Sequence, residues 1–409
     1  MKGNVLISQS GGPTAVINSS CSGIVQEVLK HQDKFNRVYG AVNGILGVLN
    51  EELADLSKED DLTIELLRQT PSSALGSCRY KLSEKDYDRV LQVIEAHNIR
   101  YCFFIGGNDT MDTANKVDKL LKERKWEAYV NGIPKTVDND LMETDHCPGY
   151  ASAAKWLAIA TRDAGLDTKA IYTSDTIKII ETMGRDSGWM AAATALARDD
   201  DSDPPHLIYL PERPLDPQKF LMDVKKVHSK LGYAVIAVSE GLRGEDGKVL
   251  VESKSKIDLD AFGHGQRGGV ADYLCHLISD NLKLKARFDK PGTIQRVSMV
   301  CASEVDLKEA YEVGRKAVKE AIAGKSGNMI TLLRVKGDMY RSRTGTVALN
   351  KVANRAKPVP DKFINKAGNN VTKEFLDWLK PLLGSPLIEY AHLKRALVKK
   401  KLEPFNTKK

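Results

Sequence analysis

The sequence predicts an α/β protein built on doubly wound, mostly parallel sheets. Three observations lead there. Short apolar runs suited to buried strands alternate with amphipathic stretches suited to helices along most of the chain. Two of those runs end in Gly-Gly turns that pass straight into helices. Polar clusters collect at the ends of strand-like runs, which is where open parallel sheets bind their ligands.

Val5-Leu6-Ile7 is the first strand, followed by Ser10-Gly11-Gly12-Pro13-Thr14 and a helical pattern over 15–29. Glycines let the backbone approach a ligand, and a helix N-terminus offers free N–H groups to an anion. A second strand spans 37–42, and a small-residue loop at 72–77 precedes Arg79 and Lys81. Helical spacing follows over 83–96. The unit then recurs: strand 101–105, then Gly106-Gly107-Asn108-Asp109-Thr110, then a helix from Met111 to Lys122 for which Asp109 is a candidate N-cap. Strand-like residues 126–133 feed Pro134-Lys135-Thr136-Val137-Asp138-Asn139-Asp140. A helix over 150–164, a strand over 176–181, a helix ending near 196 and strands over 207–210 and 233–238 come next. Residues 296–301 read as a further strand, 307–323 as a helix, and 373–383 as a helix within a more basic, irregular C-terminal stretch.

With 409 residues the chain is long enough for two or three domains with real cores. Hydrophobic residues make up 42% and charged residues 28%, as in soluble globular proteins. No run of 18 apolar residues and no signal-peptide pattern is present, so neither a membrane span nor secretion is expected. The six cysteines form no CxxC pair and read as reduced cytoplasmic thiols, not zinc ligands or disulfides. The net charge of +7 is local: residues 391–409 carry seven Lys/Arg and one Glu, a net of +6. The rest is close to neutral, which argues against a nucleic-acid partner.

The stretch 134–140 sets an ammonium and two carboxylates within seven residues, with a hydroxyl and an amide between them. Such a mixture suits phosphoryl transfer: a carboxylate takes the proton of an attacking hydroxyl while a cation stabilises the moving charge. A polar turn closing a strand would use the same residue types.

Five segments in order, SGGPTAVIN, GGNDTMDTA, PKTVDND, ETMGRDSGW and VSEG, resemble the phosphofructokinase family over roughly residues 1–330. PKTVDND and MGR carry most of that resemblance. It implies phosphorylation of fructose 6-phosphate at its 1-hydroxyl, in a cleft between two similar α/β domains. It would place a donor-binding domain at 1–148 plus about 291–350, a sugar-phosphate domain at 149–290, and a basic extension at 351–409. By the same resemblance Asp138 is the general base. Thr136, Val137, Asp138, Met183, Gly184, Arg185 and Glu240 hold the sugar phosphate, while Gly11 and Gly12 cradle the donor. Mg²⁺ is the implied cofactor, since phosphoryl transfer rests on positioning and charge stabilisation. A cytoplasmic glycolytic enzyme, homodimeric or homotetrameric, is implied as well.

Two positions bear on the donor. ATP-using members have Gly where this chain has Asp109 and Lys135; the pyrophosphate-using branch resembles this chain at both. A carboxylate at Asp109 adds bulk and like charge where the α-phosphate of ATP would lie, and Lys135 offers positive charge to pyrophosphate. Both are therefore counted with Asp138 in the catalytic set. There are two departures from the family pattern. Asn108 stands where a metal-binding Asp is common, and it remains the metal candidate. Thr293 replaces Tyr in the Tyr-x-x-Arg that would hold the 6-phosphate through Arg296; Arg267, in a Gly-rich loop at 263–269, is the alternative. The other readings are an ATP-dependent phosphofructokinase and a catalytically silent subunit of the same fold. A nicotinamide dehydrogenase would need GxGxxG after a strand, and none is present.

Overall fold

A computed structural model describes residues 2–251, 269–394 and 396–402. Eleven strands among these form two sheets. The first comprises β1 (Gly3–Gln9), β2 (Phe35–Ala41), β3 (Leu53–Asp55), β4 (Ile99–Gly106), β5 (Tyr129–Pro134), β10 (Asn328–Arg334) and β11 (Ser342–Ala348). Its order is β11-β10-β5-β4-β1-β2-β3, with only the two edge pairs antiparallel. The second is fully parallel, β7-β8-β6-β9, from β6 (Ile177–Thr182), β7 (Leu207–Tyr209), β8 (Ala234–Ser239) and β9 (Ala286–Asp289).

The apolar character of β1 and β4 on both faces follows from helices packed on both sides. Alternate residues divide the core. Val5, Ile7, Phe103 and Ile105 pack with Ile24 and Val25 of the helix Ile17–Leu29 and with Val313 and Ala317 of the helix Glu304–Ile322. Leu6, Cys102 and Phe104 face the other way, onto Val90 and Ile94 of the helix Tyr87–Ala96 and Met111 and Ala114 of the helix Asn108–Glu123. The helices 17–29 and 304–322 cross with their backbones touching: a Cβ at Gly23 would lie 2.2 Å from the Tyr311 carbonyl oxygen, and one at Gly314 2.2 Å from that of Ser20. No larger residue fits at either crossing point.

Strand order reverses between β1 and β4, so the loops after these strands diverge and leave a crevice at their carboxyl ends. The loops after β5, β6 and β8 open onto the same space. Residues 359–383 pack as a core element: Val359, Phe363, Phe375, Leu379 and Leu382 are buried against Tyr150, Leu157 and Trp189.

Three expectations are corrected. Residues 296–301 form no strand; Ile294–Val297 is one short helical turn, and Ser298–Cys301 is irregular. Ile294 is 50% and Val300 94% exposed, so the β-branched run has neither a sheet edge nor a core to join. The helix expected from Met111 begins at Asn108, with Gly107 as its N-cap. Asp109 therefore sits inside the first turn and caps nothing. The strands β9, β10 and β11 and the helices Pro217–Leu231 and Val270–Leu282 lie where no element was read. No described helix is long and apolar enough to cross a membrane.

Candidate active site

The crevice is a cleft of about 830 Å³. It gathers the four loops on which the sequence reading centred. Gly11 and Gly12, Asn108 and Asp109, and Lys135 through Asp138 line it from the first sheet. Met183, Arg185 and Glu240 line it from the second sheet, and Thr293 and Arg296 complete the lining, Arg296 beside the Gly-Gly loop. Of the expected residues in the described chain, only Gly184 stays behind the wall, where its N–H donates to Glu240 Oε1 at 3.4 Å and its carbonyl accepts from Ser239 Oγ. Arg267 lies outside the described residues.

The Lys135 side chain is buried, and its ammonium donates to the carbonyl oxygens of Ser10 (2.9 Å) and Gly12 (2.7 Å). It thus fixes the Gly-Gly loop from beneath. Burial, reinforced by Arg296, lowers its pKa to about 7. Arg296 lies on the other side of that loop, so that a Cβ at Gly12 would come within 2.8 Å of its Nη1. The Arg296 Nε is buried without a hydrogen-bond partner, and an orphaned donor at a cleft wall suits an anionic ligand.

Asp138 follows in a loop turned by Asn139, whose φ of 51° is left-handed and whose Oδ1 accepts from Cys147 N–H at 2.9 Å. Burial is the largest influence on the Asp138 carboxyl and pushes its pKa up; Glu240 adds to this, while Arg185, Arg296 and Lys135 oppose it. Asp140 is raised by burial and then by Asp138. Two neighbouring carboxyls with raised affinity for protons, ringed by cations, are what a proton acceptor at a phosphoryl-transfer site needs.

A hard divalent cation fits one corner of the cleft. Asn108 Oδ1 is buried with no hydrogen-bond partner, while its Nδ2 donates to Asp140 Oδ2 at 2.9 Å. An unsatisfied carbonyl oxygen beside a carboxylate forms an oxygen donor set of the kind such ions take.

Several lining residues were not singled out from the sequence. Arg79 follows the small-residue loop 72–77 and faces the cleft; its place after a Gly-Ser turn was the available signal. Gln295 is buried and accepts from Met183 N–H at 3.0 Å, tying the Arg296 segment to the loop after β6. Lys290 pairs with Glu181 at 3.0 Å. Asn354, Arg355 and Ala356 arrive from the C-terminal stretch, with no local pattern to announce them.

Behind Asp138 the loop is anchored by a buried histidine. His146 Nδ1 lies 2.9 Å from Asp145 Oδ2 and Nε2 lies 2.6 Å from Glu309 Oε2. Both ring nitrogens face carboxylates, so the imidazolium donates twice. Burial opposes the charge, but the two carboxylates win and raise the pKa from 6.5 to about 9. A raised folded-state value means stability that is full below about pH 6.5 and is lost as pH rises through about 9, worth about 3 kcal/mol. His146→Gln is therefore expected to lower the urea midpoint strongly at pH 6 and much less at pH 10. Equal losses at both would contradict the charged pair.

A family model described as Phosphofructokinase matches residues 4–321. The chain belongs to the phosphofructokinase family. Within that family it is 42% identical over 386 residues to the pyrophosphate–fructose 6-phosphate 1-phosphotransferase of Halomonas elongata, covering 93% of this chain and 91% of that protein. It is 41% identical over 415 residues to the enzyme of the same name from Xanthomonas campestris pv. campestris, covering 98% of each. The crystal structure of a pyrophosphate-dependent phosphofructokinase from Marinobacter aquaeolei superposes with a TM-score of 0.85 at 40% identity, covering 98% of each chain.

Proposed function

We propose that this chain is a phosphotransferase that moves a phosphoryl group from pyrophosphate to the 1-hydroxyl of fructose 6-phosphate, giving fructose 1,6-bisphosphate and phosphate. The observation that carries the reading is the convergence of Asp138, the Lys135-clamped Gly-Gly loop and four arginines in one cleft. The chain has this cleft at about 40% identity, over nearly its full length, to proteins named for that reaction.

Asp138 accepts the proton of the 1-hydroxyl as that oxygen bonds to the transferring phosphorus. The P–O bond to the second phosphate breaks, and phosphate leaves. Arg79, Arg185 and Arg296 stabilise charge on the transferring oxygens, as phosphoryl transfer requires. Thr136, Val137, Met183 and Glu240 position the sugar, with Gly184 bracing that wall from behind through Glu240; Arg296, lying against Gly12, serves the transferring group and not the 6-phosphate. The backbone N–H of Gly12 and those of the first turn after Gly107 are offered to the donor, while the Gly11 N–H is held by the Cys78 carbonyl at 3.4 Å. Asn108 Oδ1 and the Asp140 carboxylate would hold Mg²⁺, which would supply charge neutralisation for the donor. Asp109, exposed in the first helical turn at the cleft wall, opposes a nucleotide by charge and bulk.

Donor and product have comparable phosphoryl-transfer potential, so the reaction runs both ways in glycolysis and gluconeogenesis. The reading extends to a cytoplasmic homodimer or homotetramer, which sedimentation of the purified protein would check. To test the chemistry, the protein is incubated with ³²P-pyrophosphate, fructose 6-phosphate and Mg²⁺. Label on C1 of fructose 1,6-bisphosphate is expected. Absence of labelled sugar bisphosphate, or label that stays in pyrophosphate, would overturn the reading.

A further inference from the structure

We propose that Arg355 binds the phosphate of pyrophosphate that is remote from the sugar, and so sets affinity for the donor. This rests on the functional reading above.

Arg355 belongs to the C-terminal stretch, beyond the residues the family model matches, yet it lines the cleft. Its position is fixed from both sides. Leu349 and Val352 are fully buried just before it. Asn354 takes a left-handed φ of 59°, and its Nδ2 donates to Asp112 Oδ1 at 3.0 Å, one turn along the helix that begins at Asn108. Just after it, the Lys357 N–H donates to the Asp140 carbonyl at 2.6 Å. The Lys357 ammonium reaches the carbonyls of Thr144 and Asp145 at 2.9 and 3.1 Å. Arg355 is thereby pinned between the first turns of the helix carrying Asp109 and the end of the loop carrying Asp138.

Its own side chain is exposed, with no ion pair or hydrogen bond to a described residue. A surface arginine in a wandering tail would be a solvated charge. This one stands at a fixed point of a cleft wall, with its guanidinium uncommitted.

Charge at that end makes the assignment. Asp109 and Asp140 present carboxylates there, and the Lys135 ammonium is already committed to two carbonyls. Arg185 comes from the loop after β6, across the cleft, and Arg296 lies against Gly12. Both suit the phosphoryl group that meets the sugar. The outer phosphate carries most of the remaining charge, and Arg355 is the cation placed beside its end of the cleft. A guanidinium can grip two phosphate oxygens at once, which a lysine cannot do.

The test is steady-state kinetics in both directions for the wild-type protein, Arg355→Ala and Arg355→Lys. Arg355→Ala is expected to raise the KM for pyrophosphate roughly ten- to a hundredfold. In reverse, the KM for phosphate should rise by a similar factor. The KM values for both sugar phosphates should stay within about twofold, and the melting temperature should hold, because the side chain is exposed. Arg355→Lys should recover part of the loss. Pyrophosphate and phosphate KM values unmoved in Arg355→Ala, with an active wild type, would overturn the inference alone. Equal rises in sugar and donor KM, or a fall in melting temperature, would also overturn it, by marking a structural role. A wild-type protein inert toward pyrophosphate would overturn the functional reading, and this inference with it.

Discussion

Asp138→Asn is expected to lower kcat by roughly 10²–10⁴-fold, with donor and sugar affinities little changed. The amide keeps the shape of the carboxyl but cannot accept the proton of the attacking hydroxyl. The surrounding cations then lose an anionic neighbour, so binding of the anionic substrates should hold or tighten slightly. The pH profile offers a second view of the same group. An ordinary aspartate ionises near pH 4. Burial and Glu240 raise Asp138 well above that. A general base must be deprotonated, so kcat/KM should fall as pH drops through this raised value, at a pH clearly above the ordinary range. An unchanged turnover in Asp138→Asn would remove this residue from the base role.

The largest change in donor use is expected from Asp109→Gly combined with Lys135→Gly. The lysine half is the more damaging. Removing its ammonium leaves the half-buried carbonyls of Ser10 and Gly12 without their donor, at about 1 kcal/mol each. The loop under the donor then loses its support, and an unsupported loop misplaces the phosphate by enough to cost at least ~10²-fold in rate. The aspartate half is mild for stability, because Asp109 is exposed and caps nothing; its favourable place in the first helical turn is worth only about 0.3–1 kcal/mol. What it changes is access. Pyrophosphate turnover should fall by more than about a hundredfold, and weak ATP turnover should become measurable. Steady-state assays with both donors on the single and double variants separate the two halves. Retention of most pyrophosphate activity in the double variant would contradict the assigned roles.

Much of the site was legible because its parts are local. Gly11-Gly12, Gly106-Gly107 and Lys135–Asp140 each lie at the end of an apolar strand. A strand, a polar turn and a helix announce one another within about twenty residues. The direct linkage of Lys135 to Ser10 and Gly12 spans more than 120 positions, and nothing in either segment encodes it alone. The same holds for His146 with Glu309 and for Asn354 with Asp112. Residues 296–301 misled because Val297 and Val300 suggested a strand, whereas Arg296 and the Gln295 before it are held by contacts to Ala15 and Met183 from distant loops. The edge strand β11, Ser-Arg-Thr-Gly-Thr-Val-Ala, is half-exposed and pairs only with β10, so its sequence carried little apolar signal.

The proposed function requires this cleft to take a two-phosphate donor and reject a nucleotide. Initial rates at saturating fructose 6-phosphate and Mg²⁺, with pyrophosphate or ATP varied, test it most directly. The kcat/KM for pyrophosphate should be at least about a hundredfold above that for ATP. Comparable or greater efficiency with ATP, with Asp109 and Lys135 both in place, would contradict it.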